Sequence, residues 1–137
     1  MEKITFDEIS DRLHCASIPG IDEVVGILNG GLVPASLLAH QLRKPLSFLA
    51  IRFRDSDNKP LYGYPRLMGK PDLLPKERKV LLVDDVAVTG KTFEKAVEYL
   101  QDCRIVTLVL KGKADVVIFP EVEDCVEWPW RRTNFDL

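Results

Sequence analysis

The sequence has few of the features that anchor a protein in a membrane, crosslink it or attach it to nucleic acid. Its three cysteines, Cys15, Cys103 and Cys125, are odd in number and widely spaced, which fits neither a disulfide framework nor a metal-ligand motif and indicates a reducing cytoplasm. No apolar run is long enough to cross a bilayer, and the polar start at Met1 is unlike a signal peptide. A formal net charge of −2 gives no reason to expect nucleic acid as a partner.

The composition that remains is typical of one globular domain. The chain has 137 residues, of which 46% are hydrophobic and 29% charged, so it can bury a single core. We therefore predict one domain over residues 1–137, without repeats or linkers.

Apolar periodicity predicts strands that alternate with helices. Helices are predicted after a capping box formed by Thr5 and Glu8, from Pro34, and from Phe93. The predicted strands are Val24–Leu28, Leu46–Phe53, Val80–Val83, Ile105–Leu110 and Val116–Phe119. This alternation favours an α/β fold with a mainly parallel sheet covered on both faces.

The most informative segment is Val80–Thr92, in which four apolar residues lead into Asp84 and Asp85 and then into a Thr-Gly-x-Thr loop. Carboxylates at the carboxyl end of a parallel strand lie where open α/β sheets bind ligands. The loop offers hydroxyls and backbone N–H groups at a helix N-terminus, which suit a phosphate. Acids beside an anion cradle suit a sugar phosphate, because the acids can accept hydrogen bonds from vicinal hydroxyls.

This segment resembles the 5-phosphoribosyl-1-pyrophosphate (PRPP) signature of the type I phosphoribosyltransferases. The resemblance extends roughly from Val24 to Trp130 and implies their fold, a mainly parallel sheet flanked by helices with a small C-terminal hood. It implies catalytic and Mg²⁺-binding roles for Asp84 and Asp85, and a homodimer. The residues expected to bind the phosphate of PRPP are Val86, Ala87, Val88, Thr89, Gly90, Lys91 and Thr92.

A second predicted anion site, which we call the glycine loop, comprises Leu28, Asn29, Gly30 and Gly31. Paired glycines let backbone amides approach an anion closely. In the family the equivalent loop holds pyrophosphate, and the run Gly30–Pro34 is similar to the bacterial xanthine-guanine branch. A tight strand-to-helix turn is the alternative interpretation.

The segment from Arg52 to Lys79 has little periodicity and is basic. Its eight basic and four acidic residues give it a charge of +4 on a chain of net charge −2. A basic loop suits a polyanionic substrate, and long irregular segments often form lids. The family resemblance implies a loop that closes over PRPP; a solvated surface loop is the alternative.

The C-terminal third resembles the purine-recognition parts of the 6-oxopurine phosphoribosyltransferases. The resemblance implies base-binding roles for Lys111, which follows the fourth predicted strand, and for Cys125 and Val126. A lysine only donates hydrogen bonds, so Lys111 would select the keto group of hypoxanthine, guanine or xanthine over the amino group of adenine. Trp130 is expected to be buried or to lie in a subunit interface.

Three positions depart from the family pattern. Val88 stands where an aspartate usually faces the purine, Cys125 where an aromatic ring usually stacks, and Asn29 where a basic residue usually meets pyrophosphate. The leading prediction is transfer of the 5-phosphoribosyl group from PRPP to a 6-oxopurine base, which yields a nucleotide and pyrophosphate. The alternatives are a PRPP- or nucleotide-binding regulator of the same fold, which these departures favour, and a transferase for another base.

Overall fold

In the computed structural model, which describes residues 1–52, 66–68 and 77–131, three helices and eight strands are present. The helices are α1 (Phe6–Cys15), α2 (Leu32–Leu42) and α3 (Lys91–Tyr99). The strands are β1 (Glu2–Lys3), β2 (Glu23–Leu28), β3 (Leu46–Arg52), β4 (Arg66–Leu67), β5 (Lys79–Ala87), β6 (Arg104–Gly112), β7 (Val116–Val117) and β8 (Val126–Glu127).

Six of the strands form one sheet in the order β4-β3-β2-β5-β6-β7, in which β4 alone runs antiparallel to its neighbour. The carboxyl ends of β2, β5 and β6 consequently meet at one edge of the sheet, the edge at which such sheets bind ligands. This arrangement confirms the predicted α/β class with a mainly parallel sheet.

The core has two layers, one on each face of the sheet. On β5, Leu81 and Val83 pack into the layer that includes α1 and α2, whereas Val80 and Leu82 pack into the layer that includes α3. All four side chains are fully buried, and each contributes about 1.5–3 kcal/mol by burial. Because both faces of β5 are covered, its sequence is a continuous apolar run.

The helix boundaries agree with most of the local signals. The Glu8 N–H donates to the Thr5 hydroxyl at 3.1 Å and so caps α1 as predicted. Helix α2 begins at Leu32, two residues before the predicted start at Pro34, because proline is tolerated throughout the first turn. It ends at Leu42, and the C-cap residue Arg43 adopts the left-handed conformation (φ 55°) two residues before Pro45.

Several predicted strand boundaries were wrong. Strand β5 continues through both acids to Ala87, and β6 continues to Gly112, so that Lys111 lies within its strand and not after it. The ladder of β7 ends at Val117, although the Ile118 N–H still donates to the Val109 carbonyl at 3.1 Å. Strand β3 ends at Arg52, and the predicted Phe53 lies outside the described residues.

Most of the predicted basic lid also lies outside the described residues. Of its basic side chains, Arg78 lies 3.5 Å from the Glu23 carboxylate, at the start of β2. Arg78 is therefore at the amino ends of the strands, opposite the edge that carries the acids.

The N-terminal and C-terminal parts of the chain form a separate two-stranded parallel sheet. Strand β1 pairs with β8, with Glu2 opposite Val126, and the Glu2 N–H donates to the Cys125 carbonyl at 2.9 Å. Neither strand was predicted, because two residues are too few to show an alternating pattern. We call residues 124–131, which include β8, the hood.

None of the described helices has both the length and the apolar character needed to cross a bilayer.

Candidate functional site

The two adjacent acids of β5 form the centre of the candidate site. Asp84 and Asp85 are both buried, with 9% and 6% of their surface exposed. The Asp84 carboxylate accepts a hydrogen bond from the Asp85 N–H at 2.8 Å, and the Asp85 carboxylate accepts one from the Val86 N–H at 2.7 Å. These backbone contacts hold both carboxylates at the carboxyl half of the strand.

Burial raises the pKa of Asp84 well above the ordinary value for aspartate, and the neighbouring Asp85 charge raises it further. The charge of Arg131 acts in the opposite direction and lowers this pKa. Additional positive charge near Asp84 would favour its ionised form.

The glycine loop lies directly against Asp85. The Leu28–Asn29 peptide bond is cis. A Cβ atom added to Gly30 would overlap the Asp85 carboxylate, at 2.7 Å from its Oδ2. One added to Gly31 would overlap backbone atoms of β2 and β5, including the Ile27 carbonyl oxygen at 2.7 Å. The absence of side chains here brings the loop and the acids together as one site.

The second loop joins β5 to α3. Val86 and Ala87, predicted as loop residues, form the end of β5, so that the loop proper comprises Val88, Thr89 and Gly90. Gly90 has φ of +79°, which favours glycine, and space above it is open, because an added Cβ would meet nothing within 4 Å.

Helix α3 begins immediately after this loop, at Lys91, and Thr92 lies in its first turn. The Lys91 N–H donates to the Thr89 hydroxyl at 3.4 Å. An open loop at a helix N-terminus offers backbone N–H groups to an anion, and phosphate binding by this loop stays a prediction.

Lys111 connects β6 to the hood. It lies opposite Val86 in the β5–β6 register, and its ammonium group donates to the Asp124 backbone carbonyl. Because the Cys125 carbonyl accepts from Glu2, the carbonyls of residues 124 and 125 are both engaged in holding the hood. Cys125 is exposed and Val126 is half-buried. Their contact with a base stays a prediction.

The hood is packed through its tryptophans. Trp128 is 2% exposed, and its ring stacks on that of Trp130 with centroids 5.7 Å apart and an interplanar angle of 7°. The Trp130 indole nitrogen is buried and, among the described residues, has no hydrogen-bond partner. The expectation that Trp130 packs inside the protein agrees with this geometry.

Sequence reasoning missed Arg131. Its guanidinium lies 3.5 Å from the Asp85 Oδ2, which joins the end of the hood to the acids across the site. The residue follows the Trp-Pro-Trp run, but a single arginine there has no periodicity or spacing that indicates a role.

The two acids suit Mg²⁺ best when a ligand supplies further oxygens. In the described part of the chain no three His, Cys, Asp or Glu side chains are grouped to hold a metal ion. Mg²⁺ is commonly held by one or two carboxylates together with substrate phosphates. The buried Asp85 Oδ2, which accepts no hydrogen bond within the described residues, is an oxygen suited to that use.

A cavity of about 480 Å³ lies elsewhere, between the end of α1 and β7. It is lined by residues such as Arg12, Cys15 and Val117 and by none of the predicted site residues. It is therefore separate from the candidate site.

The family model for the phosphoribosyl transferase domain matches residues 19–128, which cover β2 to β8 and both loops. The chain belongs to the phosphoribosyltransferase family. This membership, together with the parallel sheet, confirms the resemblance to the type I phosphoribosyltransferases and their fold.

The phosphoribosyltransferases similar to this chain carry names that refer to different bases. The adenine phosphoribosyltransferase of Nitrosomonas eutropha is 32% identical in an alignment of length 108 that covers 73% of this chain and 59% of that protein. The orotate phosphoribosyltransferase of Sulfurisphaera tokodaii is 37% identical over 79 residues, 58% of this chain and 36% of that protein. The chain thus spans about a third to three fifths of the length of these relatives.

Among solved structures, a protein of Neisseria gonorrhoeae with bound ppGpp has a TM-score of 0.73 and 25% identity to this chain. The match covers 97% of this chain and 91% of that one. The fold is therefore shared over nearly the full length of both chains.

Proposed function

We propose that this protein transfers the 5-phosphoribosyl group of PRPP to a 6-oxopurine base. The observation that carries the proposal is the convergence of three predicted elements at one sheet edge. The glycine loop abuts Asp85, the open Gly90 loop follows the same strand, and Lys111 stands on the adjacent strand.

In the proposed reaction, the bond between C1 of the ribose and the pyrophosphate oxygen breaks, and a bond between C1 and a base nitrogen forms. Pyrophosphate leaves with the electron pair, and the proton of the base nitrogen passes to it. Asp84 and Asp85 accept hydrogen bonds from the ribose hydroxyls and orient C1. The Gly90 loop and the first turn of α3 hold the 5-phosphate, and the glycine loop binds the departing pyrophosphate.

Asp84 and Asp85 would hold Mg²⁺ directly or through water, and the ion would supply positive charge that stabilises the pyrophosphate leaving group. The Val88 side chain cannot act as a general base, and it is 72% exposed. The protein therefore contributes to the reaction through positioning and charge. We further infer that the protein works as a homodimer in the cytoplasm, which sedimentation and fractionation can test.

The test is nucleotide formation from PRPP and Mg²⁺ with hypoxanthine, guanine, xanthine, adenine and uracil, together with calorimetric PRPP binding. The double substitution Asp85→Asn and Thr92→Val should weaken PRPP binding by roughly 2–4 kcal/mol, since two hydrogen bonds to charged groups are lost. Asp11→Asn on the exposed face of α1 is the matched control. Unchanged PRPP affinity in the double variant would refute the assignment of this loop.

The second candidate is a nucleotide-binding regulator without turnover. The similar structure with bound ppGpp favours a regulator. This guanine nucleotide, like the proposed ligands, combines a 6-oxopurine, a ribose and phosphate groups. The exposed Val88 agrees with a regulator, since its side chain cannot act as a general base in the transfer reaction. Submicromolar binding of ppGpp without product from any base would favour the regulator; product formation would exclude it.

A further inference from the structure

Arg131 and Asp85 form a contact that the proposed function does not use. The guanidinium nitrogen lies 3.5 Å from the Asp85 Oδ2, an oxygen that is buried and accepts no hydrogen bond in the described part of the chain. This distance and geometry give an ion pair without a good hydrogen bond. The carboxylate oxygen is thus neutralised by charge, and its capacity to accept a hydrogen bond is unused in the described part of the chain.

The surroundings hold Arg131 in place without covering it. Its backbone N–H donates to the Trp128 carbonyl at 3.0 Å, and the rings of Trp128 and Trp130 stack just before it. The Arg131 side chain remains 54% exposed. Its five N–H donors can therefore reach a ligand while its charge stays near Asp85.

The part of this sheet edge next to the glycine loop carries two carboxylates. Asp84 and Asp85 are adjacent, and the glycine loop that faces them presents Asn29 in place of a cation. The Lys111 ammonium group is engaged with the Asp124 carbonyl. A polyanionic ligand that enters here needs positive charge, and Arg131 is a permanent cation already paired with Asp85.

We propose that Arg131 supplies part of the positive charge at Asp85 that a divalent cation would otherwise supply, and so reduces the Mg²⁺ dependence of ligand binding. The inference rests on the proposed PRPP site. Arg131 then acts in two ways: it neutralises Asp85 before the ligand binds, and it competes with a metal ion for this carboxylate oxygen.

The experiment measures PRPP dissociation constants by calorimetry in Mg²⁺ and in EDTA for wild type, Arg131→Gln and Arg131→Lys. For Arg131→Gln, the ratio of the EDTA constant to the Mg²⁺ constant should rise about tenfold above wild type, the scale of one lost charged contact. Arg131→Lys keeps the charge and should keep a ratio near that of wild type. Arg104→Gln, an exposed arginine at the amino end of β6, should leave the ratio unchanged.

A second measurement titrates Mn²⁺ into the protein without PRPP and follows bound metal by electron paramagnetic resonance. Mn²⁺ binding should tighten at least about threefold in Arg131→Gln, because the competing charge is gone. An unchanged Mn²⁺ affinity, or an equal loss of PRPP affinity with and without Mg²⁺, would overturn the proposal. If wild type binds no PRPP in either condition, the proposed function fails, whereas tighter Mn²⁺ binding in Arg131→Gln still supports the charge role.

Discussion

Substitutions at the two paired glycines should have different effects, one on ligand binding and the other on the stability of the fold. Although Gly30 and Gly31 are adjacent, an added methyl group would meet different neighbours. At Gly30 the nearest atoms that it would overlap all belong to the Asp85 carboxylate, at the end of a side chain. At Gly31 it would overlap the backbone of Ile27 and Val83, within the central strands of the sheet.

The expected losses of stability and of PRPP affinity depend on which atoms the added methyl group must displace. Gly31→Ala forces two hydrogen-bonded strands apart, and overpacking of this kind costs about 1–3 kcal/mol; we expect the upper half of that range, because backbone cannot rotate away. A loss of about 2 kcal/mol lowers the melting temperature by roughly 6–10 °C in a domain of this size. Gly30→Ala should lower the melting temperature less than Gly31→Ala does and should chiefly displace Asp85, weakening PRPP binding about 10–100-fold through a lost charged hydrogen bond.

Thermal unfolding by circular dichroism and PRPP calorimetry on both variants test this reasoning. Gly20→Ala is the control, because a Cβ there meets nothing within 4 Å. The reasoning is refuted if Gly30→Ala binds PRPP like wild type, or if Gly30→Ala destabilises the fold as much as Gly31→Ala does.

Three further predictions concern other parts of the site. Lys111→Met should reduce the preference for 6-oxopurines over adenine about 10–100-fold, measured as relative turnover or nucleotide affinity, whereas Lys113→Met beyond β6 should not. Because the pKa of Asp84 is raised in the folded state, its stability contribution is present below the unfolded pKa and is lost as pH rises through the folded pKa. Asp84→Asn should therefore raise the melting temperature near neutral pH and lose this advantage near about pH 4, and a pH-independent difference would contradict the buried charge. Gly90→Ala should cost about 1–2 kcal/mol in stability because of its φ of +79°, and an unchanged unfolding midpoint in urea would show that the loop relaxes.

The parallel sheet and the position of the acids could be predicted from sequence because they depend on strong local signals. The apolar run ending at Val83 requires burial on both faces, and carboxylates that follow such a run must lie at the carboxyl half of the strand. Paired glycines ahead of a helix likewise indicate close backbone approach. Strand ends were less predictable, because β5 and β6 extend through polar residues when a neighbouring strand supplies hydrogen bonds.

The contact between Arg131 and Asp85 could not be predicted, because it depends on how the hood folds back. The β1–β8 ladder, which Glu2 forms with Val126, sets that position through two-residue strands with no pattern of their own. The hydrogen bond from Lys111 to the Asp124 carbonyl likewise depends on the position of the hood. Contacts between distant short segments depend on tertiary packing and leave no local signal.

The β1–β8 ladder also has a consequence for folding order. Glu2 and Val126 lie at almost opposite ends of the chain, so pairing them closes a very long loop, with an entropy cost that few contacts offset. The β2-β5-β6 pairing that carries the acids involves longer strands with many more contacts. We therefore expect the acid-bearing sheet to assemble first and the hood to dock late, as the element that opens most readily in amide hydrogen exchange. The part of the site assigned to the base can thus fluctuate while the part assigned to the sugar phosphate stays formed.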